Sequence, residues 1–177
     1  MDGIWYRGYR SGDLEAMFRL DVVCFEEPFR FSRGAMRRFA EDRRARVVIA
    51  ETEGEMVGFV VLHVEDVGVP HSSRFLRQAQ DRAMNGPPGD SGKVGYVVTL
   101  DVATAWRRKG VAGELMSRVE AEAREAGCEA MMLHVFEGNW GARRFYERVG
   151  YEVVGVAKAF YGVGVDAVVC GKAVKSE

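Results

Sequence analysis

The segment that decides the fold is WRRKGVAGELM, Trp106–Met116. From Gly110 onward, GVAGELMSRVEAEAREAG reads as an amphipathic helix that stops at Gly127. Three cations, Arg107, Arg108 and Lys109, stand just ahead of its first turn. That is the positive end of the helix dipole, where a cation is disfavoured by a few tenths to ~1 kcal/mol. A bound anion resolves the conflict. The first N–H groups of a helix lack internal partners, and a phosphate or pyrophosphate placed there accepts from them. Side chains as small as those of Gly110 and Ala112 let it approach the backbone. The bland alternative is a solvated basic turn. The run follows directly on an apolar strand, KVGYVVTLDV (93–102), and opens an amphipathic helix, which favours the anion.

The spacing narrows the anion. No G-x-x-x-x-G-K-S/T occurs, so this is not a P-loop, and no G-x-G-x-x-G occurs, because Gly162 and Gly164 are followed by Ala167. A nucleotide-bearing ligand with a pyrophosphate remains.

The rest of the chain bounds the function. Its 177 residues suit one domain, and 47% hydrophobic residues can fill a core. Twenty-five basic and 26 acidic residues give a net charge of -1, without the basic excess of a general nucleic-acid binder. Cys24, Cys128 and Cys170 are odd in number, widely spaced and in apolar contexts. That excludes a disulfide framework and a zinc site, so no metal is expected. The start, MDGIWYRGYR, lacks the apolar core of a signal peptide, and no apolar run is long enough to span a bilayer. The expectation is a cytoplasmic protein with no nucleic-acid or membrane partner, monomeric or homodimeric.

Along the chain, IWYRGYR reads as a strand. SGDLEAMFRLDVVCF reads as a helix capped by Ser11 or Asp13, with Leu14, Met17, Phe18 and Val22 on one face. EEPFRF is a loop, and SRGAMRRFAEDR a short helix capped by Ser32. RVVIAET and MVGFVVLHV form a hairpin around TEGE. The pattern breaks over 65–92, a long inserted loop. AMMLHVF is a strand, and NWGARRFYERVG a helix capped by Asn139 and stopped by Gly150. YEVVGVAKAF and VDAVVCGKAV are two last strands around YGVG. The order β-α-α-β-β-β-α-β-α-β-β predicts an α/β (α+β) domain over 1–177. Its sheet is seven-stranded, mixed and mostly antiparallel, with helices on both faces.

RRKGVA matches the Q/R-x-x-G-x-G/A signature of the GNAT superfamily of N-acetyltransferases. YVVTLDVATAWRRKGVAGELM resembles that family's strand–loop–helix, with Ala105 in place of its common Pro. LHVFEGNWGARRFYERVGYEVVG resembles its second motif. Within the family the chain looks most like the protein N-terminal acetyltransferases, including the bacterial ribosomal-protein alanine type. CFEEPF resembles their substrate loop, and AFYGVGVDAVV their tyrosine-bearing hairpin, with Phe160 replacing its first Tyr. Phe29 stands where one eukaryotic branch has a Glu.

The resemblance implies a GNAT fold whose sheet is splayed at the cofactor site, and acetyl-CoA as co-substrate. Its pyrophosphate would lie on Arg107, Arg108, Lys109, Gly110, Val111, Ala112 and Gly113. Its pantetheine would pair with the backbone of Leu100, Asp101 and Val102, with Asn139, Ala142 and Tyr146 also touching the cofactor. His134 would be the base, paired with Tyr96 through an ordered water, and Tyr146 the acid that protonates the leaving thiolate. Arg143 and Arg144 would add to the phosphate field or form a solvated face. Phe25, Glu27, Pro28, Phe29, Val98 and Tyr161 would shape the acceptor pocket, with Glu26 and Glu27 attracting the amine.

Acetyl transfer needs a neutral amine. A lysine side chain, pKa ~10.4, costs roughly 3.5 kcal/mol more to neutralise than an α-amino group near ~7.8. An imidazole of pKa about 6.5 suits the second. With this difference, the resemblance implies direct acetylation of a protein N-terminus in a ternary complex. Two alternatives stay open: an acetyltransferase of a small amine (polyamine, aminoglycoside or amino acid), and a non-catalytic coenzyme A-binding module.

Overall fold

The computed structural model describes residues 3–66 and 92–174. Most of the loop expected over 65–92 lies outside the described residues. The described elements follow the expected order: β1 (Trp5–Gly8), α1 (Leu14–Cys24), α2 (Arg33–Ala40), β2 (Ala45–Thr52), β3 (Glu55–Asp66), β4 (Lys93–Val102), α3 (Val111–Glu125), β5 (Cys128–Phe136), α4 (Trp140–Arg148), β6 (Glu152–Gly162) and β7 (Val165–Ala173). The strands are hydrogen-bonded in the order β1-β2-β3-β4-β5-β7-β6. The pairs β1–β2, β2–β3, β5–β7 and β6–β7 are antiparallel. This is the mixed, mostly antiparallel α/β sheet of the GNAT fold. Contacts divide the chain into two compact units, Met1–His63 with Val97–Glu122, and Val64–Tyr96 with Ala123–Glu177.

In the first unit, β2 and β3 turn on Glu53 (φ 47°) and Gly54 (φ 82°), both left-handed as a tight hairpin turn requires. Leu14, Met17 and Leu20 of α1 and Met36 and Ala40 of α2 pack on Val47, Ile49, Phe59 and Val61. The buried face of α1 differs from the expected one. Val22 is exposed and Asp21 is fully buried, because the helix turns a face through Leu14, Met17, Leu20 and Asp21 to the interior. Asp13 does not cap α1 with its side chain. Its carboxylate is taken by Arg7, at 2.7 and 2.9 Å, and by the Arg10 N–H at 2.7 Å. Ser32 does cap α2, accepting from the Ala35 N–H.

The seating of α3 depends on Gly58 of β3. A Cβ there would stand 2.9 Å from the Asp101 carbonyl, 3.2 Å from Leu115 Cδ1 and 3.3 Å from Val111 Cγ1. The first contact is backbone and cannot swing aside. Gly58→Ala is therefore expected to destabilise the protein by about 1–3 kcal/mol through overpacking, read as a fall in the urea midpoint.

In the second unit, Val94, Ala130, Met132, Ala157, Ala167 and Val169 form the core. Asn139 caps α4 by accepting from the Ala142 N–H at 3.0 Å. At the other end Gly150 (φ 90°) stops the helix, and Lys172 Nζ donates to the Val149 carbonyl at 2.9 Å. A cation is favoured at that negative end of the dipole.

Candidate active site

The first unit carries the basic turn. After β4, a 3-10 turn over Thr104–Trp106 hands the chain to Arg107. Arg108 (φ 61°) and Gly110 (φ 87°) are both left-handed, and together they redirect the backbone into α3. The helix is anchored behind that turn by buried Val111, Leu115 and Val119. Glycine fits at 110 because a side chain disfavours this φ. Neither Gly110 nor Gly113 has an atom within 4 Å of the position a Cβ would take. The start of the helix is thus open to a ligand.

The three cations behave differently. Arg107 turns back, its Nε donating to the Val102 carbonyl at 3.0 Å. Lys109 Nζ lies 4.8 Å from the centre of the Trp106 ring. All three are exposed, and Arg108 and Lys109, with no strand carbonyl to serve, supply the field ahead of the helix. Cys24 Sγ also donates to the Val102 carbonyl, at 3.5 Å. With both lone pairs of that carbonyl occupied, any pairing of Val102 with a ligand falls to its N–H. Asp101 is 1% exposed and accepts from Thr99 Oγ1 at 2.6 Å. Its side chain belongs to the interior, and only its backbone can meet a cofactor.

Also in this unit, Phe25 and Phe29 are half-buried, while Glu27 and Pro28 are exposed, as is Glu26. Glu27 is paired with Arg30 at 2.8 Å. Val98 and Leu100 are half-buried on the same face of β4.

The second unit gathers three aromatic rings around His134 of β5. Tyr96 Oη lies 3.1 Å from His134 Nδ1, a direct hydrogen bond where a bridging water was expected. The Phe160 ring stacks on the imidazole, centroids 4.0 Å apart and planes 3° from parallel. Tyr161 Oη donates to the His134 carbonyl at 3.3 Å. Burial pushes the His134 imidazole down to about 4. Burial also pushes the Tyr96 phenol well above its ordinary value, helped by Tyr161 and Glu65, and Tyr161 up to about 12. At neutral pH the imidazole is thus neutral and both phenols keep their protons. The cluster can take a proton from an amine that is losing it, and it can donate hydrogen bonds.

An irregularity in β6–β7 delivers Phe160 and Tyr161. Ala157 pairs with Ala167 and Gly162 with Val165, so four residues of β6 oppose Asp166 alone. Such bulges re-aim side chains. Asp166 fastens this one, accepting from the Ala159 N–H at 2.9 Å and ion-pairing with Lys158. Ala159 is left-handed, φ 54°. Asp166→Ala is expected to leave the melting temperature nearly unchanged, since exposed pairs stabilise little. It should lower turnover on the order of tenfold by loosening the ring above His134, as steady-state kinetics would show.

Tyr146 belongs to the same unit. It is 8% exposed, with its ring edge-on to Phe145 and Tyr151 at 5.2 and 5.7 Å. Arg143 lies over the Trp140 ring and donates to the Glu137 carbonyl, while Arg144 is exposed. Of the residues expected to act on the acceptor, the structure joins Tyr96, His134 and Tyr161 by direct contact. Phe160 completes that group without having been among them; its strand placement was legible, but its position over a ring two strands away was not. Among the described residues no cluster of metal-binding side chains occurs, and no helix is long and apolar enough to cross a membrane.

Residues 14–151 match the model of the acetyltransferase (GNAT) family. The chain belongs to that family and carries a GNAT N-acetyltransferase domain, the class that takes acetyl-CoA as co-substrate. An N-alpha-acetyltransferase of Sulfurisphaera tokodaii is 24% identical over 164 residues, 91% of this chain and 87% of that protein. N-alpha-acetyltransferase MAK3 of Arabidopsis thaliana is 34% identical over 73 residues, 41% of this chain and 38% of that protein. Two further Arabidopsis relatives are matched over only 24% and 21% of their lengths. The crystal structure of Arabidopsis thaliana NAA60 in complex with acetyl-CoA superposes with a TM-score of 0.79 at 21% identity, covering 98% of this chain and all of that one.

Proposed function

We propose that this protein acetylates the α-amino group of protein N-termini, transferring the acetyl group directly from acetyl-CoA. The observation that carries the reading is the half-buried His134 held by Tyr96 at 3.1 Å, with burial pushing its imidazole down to about 4. A base this weak strips no ammonium, so the acceptor must arrive neutral, as an amine near ~7.8 does far more often at neutral pH than one near ~10.4; the imidazole then takes its proton as the bond to carbon forms. The relative matched over most of both chains is itself named an N-alpha-acetyltransferase.

In this reading the pyrophosphate sits on the backbone at the start of α3, within the field of Arg108 and Lys109. The pantetheine amides pair with Leu100 and with the Val102 N–H. Backbone N–H groups of β4 stabilise the oxyanion. Asn139 and Ala142 contact the cofactor, and Tyr146 protonates the departing thiolate. Phe25, Pro28, Phe29 and Val98 shape the place of the acceptor's first residue, and Tyr161 orients its backbone. Three free thiols, two of them buried, suit a reducing compartment such as the cytoplasm.

The experiment is thiol release from acetyl-CoA with a panel of peptides differing in their first residue, each prepared with a free and a blocked N-terminus. Turnover is expected with the free forms alone. Turnover of blocked, lysine-containing peptides, or of polyamines and aminoglycosides with peptides inert, would overturn the reading.

A further inference from the structure

Seven arginines and only two acids, Glu41 and Asp42, fall within residues 30–46. That local excess of five stands in a chain of net charge -1, so the remaining residues are six negative. The stretch starts at the end of the acceptor segment 25–31, forms α2 and runs into β2.

Four of the seven are engaged within the protein. Arg30, Arg33, Arg44 and Arg46 ion-pair with Glu27, Glu15, Asp42 and Glu122. Arg37, Arg38 and Arg43 are exposed and form no ion pair with a described residue. Glu41, the acid between them, accepts from the Tyr9 hydroxyl at 3.0 Å. Arg37 and Arg38 lie in the last turn of α2, where the helix dipole favours cations, so charge collects there at little cost to the fold. No large apolar side chain of 30–46 is exposed. A partner at this surface binds by charge, and its charge is negative.

Reach narrows the partner. A long polyanion such as RNA would run past the three arginines onto a protein that is otherwise net negative. A short acidic peptide stays within their field, which extends ~8–10 Å at physiological salt. The acceptor itself supplies such a peptide. From Phe29 to Ser32 the chain spans at most about 11 Å, and α2 rises about 8 Å from there to Arg37. An extended peptide whose first residue lies beside Phe29 covers that distance in about six residues.

We propose that Arg37, Arg38 and Arg43 form a docking surface for an acidic stretch that follows the N-terminus of the acceptor protein. The enzyme thereby selects substrates with Asp or Glu from about their fifth residue onward. The inference rests on the function proposed above and on the acceptor role given there to Phe25, Pro28 and Phe29.

Two peptides test it, identical except at about the fifth to seventh positions, which are Glu in one and Gln in the other. At low salt the KM of the Glu peptide should be about tenfold lower, the sum expected of three exposed ion pairs. Its kcat should match that of the Gln peptide, as for binding equal in ground and transition states. The advantage should fade toward 1 M salt, where the screening length is about 3 Å. Combining Arg37→Gln, Arg38→Gln and Arg43→Gln should bring the KM ratio to about one. Combining Arg37→Glu, Arg38→Glu and Arg43→Glu should invert it. In both triple variants the acetyl-CoA KM and the KM of the Gln peptide should stay within about twofold of wild type. Equal KM for the two peptides in wild type, or an advantage that survives the triple Gln substitution, would overturn the proposal. So would a labelled oligouridylate that binds wild type more tightly than the Glu peptide and is released by the same substitutions, which would give the surface to nucleic acid. If no peptide is acetylated, the proposed function fails by itself. Fluorescence anisotropy of the two labelled peptides, with coenzyme A bound, then decides the docking surface: the Glu peptide should bind about tenfold more tightly, and equal binding would overturn it.

Discussion

His134→Ala is expected to lower kcat for peptide acetylation by about 10²–10⁴-fold, the usual contribution of a positioned general base. The acetyl-CoA KM should stay near wild type, because no cofactor contact is assigned to the imidazole. Tyr96→Phe removes the 3.1 Å hydrogen bond to Nδ1 and should cost less, since Phe160 still stacks on the ring. The two losses should not add, as both act on one imidazole. The pH profile is the sharper test. The imidazole works in its neutral form, which prevails above its depressed value of about 4. An ordinary histidine would impose a limb near 6.5. Here kcat/KM should rise along one limb set by the acceptor's own amine, near ~7.8, and then level off. A second limb near 6.5 in wild type would show that the site is wet and the base not depressed. Undiminished turnover by His134→Ala would remove the imidazole from the chemistry.

Local signals carried the fold. The caps Ser32 and Asn139, the stops Gly127 and Gly150, and the strand over 93–102 stand where the sequence places them, because a cap or a stop is decided within one helical turn. The face of α1 was misplaced for the same reason. Helical periodicity prefers apolar residues, so it chose Val22, yet the interior takes Asp21, whose partner Phe31 lies ten residues on. The site divides along that line. Tyr96 and His134 were legible through the motifs that hold them, and their contact follows from adjacent strands. Phe160 over His134 depends on a bulge fastened by Asp166 across the hairpin, and bulges leave no period in the sequence. The bond from Arg107 back to Val102 was hidden likewise. A basic run reads as a patch of charge, whereas one member of this run is a donor to the strand it follows.

Gly110→Val is expected to weaken acetyl-CoA binding by about 10–100-fold, or roughly 1.4–2.8 kcal/mol, with the protein still folded. The added side chain meets open space, since nothing lies within 4 Å of its Cβ. The burden is conformational. Gly110 sits at φ 87°, where a β-branched residue is a genuine outlier and the left-handed conformation costs roughly 1–2 kcal/mol. The turn relaxes by rotating the peptide units that lead into α3, while buried Val111, Leu115 and Val119 keep the body of the helix in place. The first N–H groups then no longer converge on one point, and the diphosphate loses donors that had no other partner. Gly54→Val is the control. That residue is left-handed to the same degree, φ 82°, in the β2–β3 turn, and it should lose comparable stability with no change in affinity. Titration calorimetry with acetyl-CoA on both variants, each checked by thermal melting, separates the effects. Equal loss of affinity in the two would mean that strain anywhere in the fold disturbs the cofactor. Full affinity in Gly110→Val would mean that the backbone at the start of α3 does not grip the diphosphate, and the anion reading of Arg107–Gly110 would fall with it.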